Sequence, residues 1–522
     1  MPTAVKNQLW RLVKSLTKAE KRNFKLYATR AGATRDSKFI QLFNALDRLE
    51  HPDDASITAR LRLSAGQYSN LKRHLYQQVL TSLRLIYINK EIDIELREQI
   101  DFSHILYGKG LYLDALRTLE RAKGRAVEHN RDLLHLEILE FQKLIEARHI
   151  TRSRQVDNKM DLLLNESAAR SYSVLNTSEL FNLNIQIHGR YIEAGHSRTE
   201  ADRAENAAYW NEIQTYRTDR ETVSGTFHQK INRFQATMWY HYIQLSFGDA
   251  LESAMNALTL FHLSTHMTVK DPDLYLRCLY YVSIFAYLSG DHPRLHRNIR
   301  VISDFLADDQ ILLNENSQHI GRIYRDLMRF NGYFAMGDWV TAERHGRCLL
   351  HDYGKRNFVP SEHRWGLFLY KIAGTAFLLG KYGDALDHLN EVINMKSGIL
   401  REDLLLNTRL LHLLCNYELG HYALVDYHLT NFTRQLRRSR EAAEVHRLTV
   451  AALRKLVKTP LSERLPVYAD LRRVLREASH DPFEHKTLLY LDLNHWVASH
   501  LQLATATAGP GHSRTPGEPF GA

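Results

Sequence analysis

Cysteine is nearly absent from this 522-residue chain: Cys278, Cys348 and Cys415 stand far apart in the sequence. An odd, sparse set with no partner at metal-ligand or redox-pair spacing excludes a disulfide framework and reads as buried thiols in a reducing compartment. The expected location is cytoplasmic. Proline is scarce as well, with 11 residues gathered mostly in short separators and near the end of the chain. That suits long helices, which tolerate proline only in their first turn. Long apolar runs are missing. Lys6, Arg11 and Lys14 interrupt the first residues, so no signal-peptide core is seen. The most apolar later stretch, Leu367 to Leu379, carries Lys371 and falls short of the roughly 20 residues that span a bilayer. No membrane partner is expected.

Catalytic signatures are also missing. There is no phosphate-cradling glycine loop followed by Lys and Ser or Thr, no dinucleotide-binding glycine fingerprint, and no His-Glu-x-x-His helix. Gly108 and Gly110 lie close together but precede a turn. The 28 histidines include His262 with His266 and His292 with His296, each pair four residues apart. Such a pair could fill two metal positions, but a site needs a third ligand that the sequence does not supply. These histidines read as polar or half-buried helix residues. No catalytic, cofactor-binding or metal-binding residue is assigned, and the expectation is a protein that is not an enzyme and holds no cofactor.

What the chain does have is charge at one end. The whole carries 69 Lys and Arg against 59 Asp and Glu, a formal +10. Residues 1 to 90 hold 17 of those cations against 6 carboxylates, so the remaining 432 residues are close to neutral. This region reads as several helices. Thr17 with Glu20, and Ser64 with Gln67, have capping-box spacing. Phe39, Leu42, Phe43, Leu46 and Leu49 mark a helix from Lys38 to Leu49, and Ser56 marks the start of another. In the last helix Tyr68, Leu71, Leu75, Val79 and Leu83 form one buried stripe. Ile57, Leu61, Leu63, Ser64, Tyr68, Leu71 and Leu75 resemble the pattern of bacterial helix-turn-helix domains, with Arg62 where that family prefers glycine. The resemblance implies nucleic-acid contacts from Gln67, Asn70, Lys72 and Arg73, with Lys18, Lys21, Arg22 and Lys25 on an earlier helix as further cations. The alternative is a solvated basic cap.

Beyond Asp101 one local pattern returns. Gly110, Tyr112 and Ala115 recur as Gly290, His292 and Leu295, as Gly337, Trp339 and Ala342, as Gly380, Tyr382 and Ala385, and as Gly420, Tyr422 and Val425. The later glycines are 47, 43 and 40 residues apart, and Gly248 precedes Gly290 by 42. A period near 40 means one helix pair per repeat. Each glycine can end a helix in the left-handed conformation, the aromatic residue packs into the turn, and the small residue lets the next helix approach.

Here the chain resembles the tetratricopeptide repeat family. Gly110, Tyr112, Ala115, Leu119 and Ala122 match its second-helix signature, as do Gly380, Tyr382, Ala385, Leu389 and Val392. The resemblance implies an all-α, right-handed superhelical solenoid of antiparallel helix pairs, its concave face lined by the first helix of each pair. The expected organisation is a basic helical domain at 1–90, repeats at 101–456, capping helices at 457–503 and a disordered tail at 504–522. Between Ala147 and Gly248 the pattern is obscured, and a helix pair with a degenerate turn is expected there. Tyr240, Tyr242, Tyr280, Tyr281 and Tyr287 read as core filling between helix pairs and not as a stacking platform. The functional expectation is a scaffold that binds a protein or peptide in the solenoid groove; the alternative is a regulator that binds DNA or RNA through its basic N-terminal domain.

Overall fold

The computed structural model describes residues 7–30, 37–149, 158–215, 225–311, 313–354, 361–395 and 401–507. Among them the chain is all-α, with 25 α-helices, one short 3-10 helix at Leu461–Glu463 and no strand. No helix among the described residues is long and apolar enough to cross a membrane. The chain divides into two compact units, Met1–Ser178 and Glu179–Ala522.

In the first unit, helices Gln8–Ser15, Lys18–Arg30, Lys38–Arg48, Asp54–Leu61 and Ala65–Tyr87 enclose a core that includes Val13, Phe24, Leu42, Phe43, Leu75 and Val79. A second cluster, with Leu96, Leu119 and Ile138 at its centre, joins helices Ile92–Gly108, Tyr112–Glu128 and Asp132–His149. The edge expected near residue 90 thus separates two hydrophobic clusters, whereas the division into units falls at Ser178, inside the helix Lys159–Ala194.

Local signals act as capping physics requires. The Thr17 N–H donates to Glu20 Oε2 at 2.7 Å and the Glu20 N–H donates to Thr17 Oγ1 at 3.2 Å, which satisfies two amides at a helix start. The Ser64 and Gln67 pair does the same at 3.0 and 3.3 Å. Ser56 does not open its helix: Asp53 is the cap, accepting from the Ser56 N–H at 3.0 Å, because its carboxylate reaches the third amide.

In the second unit helices pack on those next to them or one further along in sequence, as Pro272–Leu288 does on Phe247–Leu263, His292–Ala307 and Glu315–Met336. The turns repeat one construction. Gly290, Gly337, Gly380 and Gly420 have φ of 78, 68, 75 and 78°, as Gly110 has 76° in the first unit. At Gly380 the glycine N–H donates to Phe377 O and the Lys381 N–H donates to Ala376 O, both at 2.9 Å, so the last carbonyls of the helix are satisfied. A Cβ on Gly380 would meet nothing within 4 Å, which makes its requirement conformational and not spatial. Two residues later an aromatic ring meets the aromatic three residues before the glycine: Tyr112 on Tyr107, Trp339 on Phe334, Tyr382 on Phe377 and Tyr422 on Tyr417, with centroids 5.1 to 5.6 Å apart. Ala115, Ala342, Ala385 and Val425 are completely buried on the following helix.

Two expectations are corrected. Gly248 lies inside the helix Phe247–Leu263, and the left-handed residue of that turn is Leu245, with φ of 61°. Burial of the leucine side chain offsets the strain of that conformation. Between Ala147 and Gly248, where a helix pair with a degenerate turn is expected, the described residues hold three helices, Lys159–Ala194 of 36 residues, Glu200–Thr215 and Phe227–Ile243, and Gly195 follows the first with φ of 73°. After residue 457 the helices are Leu465–Ala478, Pro482–Leu488 and Leu493–Thr507. The tail placed at 504–522 therefore begins within a helix, and residues 508–522 lie outside the described residues.

Candidate binding site

The second unit contains a cavity of about 890 Å³. Its wall draws on helices Phe227–Ile243, Pro272–Leu288, Glu315–Met336, Glu362–Leu378 and Glu402–Glu418, which alternate in sequence with helices that contribute little to it. The end of Lys159–Ala194 and the segment around Lys486 to Tyr490 close it. Next to the lining residue Arg440, the Arg198 guanidinium donates to Arg440 O and Ala442 O at 2.6 and 2.7 Å.

One side of the cavity is aromatic. Trp239 stacks on His188 at 4.3 Å and on Tyr191 at 5.5 Å, and Tyr280 stacks on Tyr324 at 4.1 Å. Of the five tyrosines read as core filling, Tyr242, Tyr280, Tyr281 and Tyr287 line this cavity, while Tyr240 stacks on Trp210 at 4.8 Å. Both roles hold at once for Tyr242 and Tyr287, which are buried and line the cavity. Burial pushes the Tyr281 phenol up to about 12, so it stays a neutral donor.

Aliphatic residues such as Ile284, Leu327 and Leu367 complete the apolar part, and ten charged residues share the lining. Arg364, Lys371, Arg401, Arg438, Arg440 and Lys486 face Glu193, Glu402, Asp403 and Glu441. The centre of the polar cluster is Asp403. Its Oδ2 lies 3.0 Å from Arg401 Nη2 and 3.4 Å from Lys486 Nζ, and accepts from the Tyr490 hydroxyl at 2.8 Å. The Leu404 N–H donates to Oδ1 at 2.8 Å. Burial alone would raise this carboxyl, but Arg401 and Lys486 outweigh it and hold it well below the usual range. Behind the cluster His446 accepts the Ala443 N–H at Nδ1, 3.0 Å away, which leaves Nε2 to donate to Asn407 Oδ1 at 3.3 Å. Burial brings this imidazole down to about 4, so the neutral form is the resting one.

Lys371 differs from every one of these cations. Its side chain is 5 % exposed, and Nζ lies 4.5 Å from the Phe334 ring centre and 5.7 Å from that of Tyr287. Among the described residues no hydrogen bond or ion pair is found for its ammonium. Burial lowers its ammonium to about 7.

The residues singled out for nucleic acid lie in the first unit, in separate places. Lys18, Lys21, Arg22 and Lys25 line one groove with Leu26 and Ile40, and Lys21 Nζ is paired with Asp47 at 2.7 Å. Lys72 lies in another groove, 2.7 Å from Asp54 Oδ2 and 4.6 Å from the Tyr68 ring centre. Arg73 donates to Asn70 Oδ1 at 2.6 Å, and the Gln67 side chain is committed to its cap. The turn before them places Arg62 at φ 50°, ψ 55°, the left-handed conformation that glycine would take.

Of the histidine pairs, His262 and His266 are split by a helix end at Leu263, so four-residue spacing does not put them on one face. Among the described residues no three His, Cys, Asp or Glu side chains gather at a metal-binding distance. Sequence reasoning missed Arg401, Asp403, Lys486 and Tyr490, since 89 residues separate Arg401 from Tyr490 and no short-range pattern links them. Lys371 did leave a signal, as the charge inside the apolar stretch Leu367 to Leu379. Compared with known proteins, the chain matches no protein-family model and no curated sequence at a significant level.

Proposed function

We propose that the helix pairs of Glu179–Ala522 stack as a tetratricopeptide-like solenoid and that its cavity binds a peptide segment of acidic character. The observation that carries this reading is the alternation of the cavity wall: the helices that precede Gly290, Gly337, Gly380 and Gly420 line the cavity, while of the helices that follow these glycines only Arg438, at the end of Tyr422–Arg438, reaches it. Stacked repeats produce a continuous groove of this kind from their first helices. Aromatic rings offer rigid contact area at low entropic cost, and the excess of lining cations over carboxylates favours an acidic ligand. Recognition through many such contacts needs no reaction.

The test is affinity selection from a synthetic pool of random peptides on the full-length chain. Wild type should retain acidic peptides, Trp239→Ala with Tyr281→Ala should lose them, and Tyr427→Ala, on an exposed side chain away from the cavity lining, should retain them. Retention unaffected by the cavity replacements would sink the reading.

A second reading is supported by Arg62. An eight-residue helix, a turn through a left-handed residue and a second helix follow one another in the order of a helix-turn-helix unit, which supports the reading. On this reading residues 1–90 bind nucleic acid through Lys72, Arg73 and their neighbours.

A further inference from the structure

Buried cations elsewhere in the second unit are compensated. Lys486, 5 % exposed, shares Asp403, and Arg464, 8 % exposed, donates to the hydroxyls of Tyr417 and Tyr422 at 3.0 Å. Lys371 is equally buried, lines the cavity, and finds only the ring faces of Phe334 and Tyr287. Packing does not explain an amine here, because a methionine of similar length would fill the space without the desolvation cost.

The geometry points to Lys371 as a nucleophilic amine that captures an aldehyde ligand bearing a negatively charged group, by forming an imine within the cavity. A lysine is activated for this chemistry by a desolvated, apolar setting, which the burial of Lys371 against Phe334 and Tyr287 supplies. Burial lowers its ammonium to about 7, which leaves roughly 1,000-fold more free amine at neutral pH than on an exposed lysine. Arg364 and Arg401 line the same cavity and supply the charge to hold the anionic part of the ligand, while Tyr280 and Tyr281 offer faces for a planar part.

The step balances without a co-reactant. The Nζ lone pair attacks the aldehyde carbon to give a carbinolamine; the C–O bond then breaks and the C=N bond forms. Both amine hydrogens leave with the carbonyl oxygen as one water, and no atom is oxidised or reduced overall. The reaction uses the cavity but not a peptide, so this inference and the peptide reading can fail separately.

Pyridoxal 5'-phosphate, an aromatic aldehyde with a phosphate, is the probe. The full-length protein is incubated with it at neutral pH, the imine is reduced with borohydride to a secondary amine, and the modified lysines are mapped by mass spectrometry. Lys371 should be modified at least about tenfold faster than exposed lysines such as Lys381. Pyridoxal, which lacks the phosphate, should label it more slowly. Lys371→Arg, which keeps the charge, and Lys371→Met should both abolish the fast phase while circular dichroism stays that of wild type. Modification spread over exposed lysines with Lys371 untouched overturns the inference; equal rates for the two probes overturn its anionic part.

Discussion

The carboxylate of Asp403 joins Arg401 and Lys486, which approach the same oxygen at 3.0 and 3.4 Å. Asp403 and Lys486 are 9 % and 5 % exposed at their side chains, so neither charge is left to water. Asp403→Asn should therefore cost about 3 kcal/mol in a urea titration, because it strands a buried ammonium beside a partly exposed guanidinium. An unchanged midpoint would show that the cluster does not hold this part of the fold.

The same carboxylate sets an acid dependence. Its folded pKa is depressed, so its contribution is fully present above the unfolded value near 4 and is lost as pH falls through the acid range. Wild type should lose stability on acidification more steeply than Asp403→Asn does.

Lys371 gives the opposite test, since a depressed lysine pKa means that the unfolded chain binds the extra proton. Its burial is a cost that is complete at pH 7 and below and fades as pH rises towards the ordinary lysine value. Lys371→Met should be more stable than wild type by up to about 4 kcal/mol near pH 7, with the difference gone above about pH 10.5. The two variants' denaturation midpoints across that range check the sign.

The repeated turn can be tested at two positions. Gly380→Ala should cost about 1 kcal/mol, because alanine is strained at φ 75° although space is free. Ala385→Leu should cost roughly 1 to 3 kcal/mol by overpacking a site with no exposure at all. Thermal midpoints unmoved by both would remove the packing account of the turn.

The nucleic-acid reading predicts that Lys72→Glu with Arg73→Glu weakens DNA or RNA binding while leaving circular dichroism unchanged. Wild-type affinity should fall steeply between about 50 and 200 mM salt, as phosphate binding releases condensed cations. Fluorescence anisotropy showing no binding at the lower salt would end that reading for the ligand used. The ion pair of Lys72 with Asp54 makes Arg73 the larger contributor, which single replacements would show.

Much of the fold was legible in the sequence because its signals are local. Thr17 with Glu20, Ser64 with Gln67, and the glycine turns at 110, 290, 337, 380 and 420 act over three to six residues, within one helix end or one turn. The aromatic three residues before each of these glycines was equally visible and went unread. Leu245 was not legible, since only burial of its side chain makes a left-handed leucine tolerable. Nor was the site: Lys371 could be read only as a charge within an apolar stretch, and no local pattern marked Arg401 or Asp403. Tertiary structure decided that Lys486 and Tyr490 reach Asp403 while Lys371 receives no carboxylate. Helical periodicity fixes which face of a helix is buried, but the partner that covers it comes from residues far along the chain, and that pairing alone decides whether a buried charge is neutralised or left reactive.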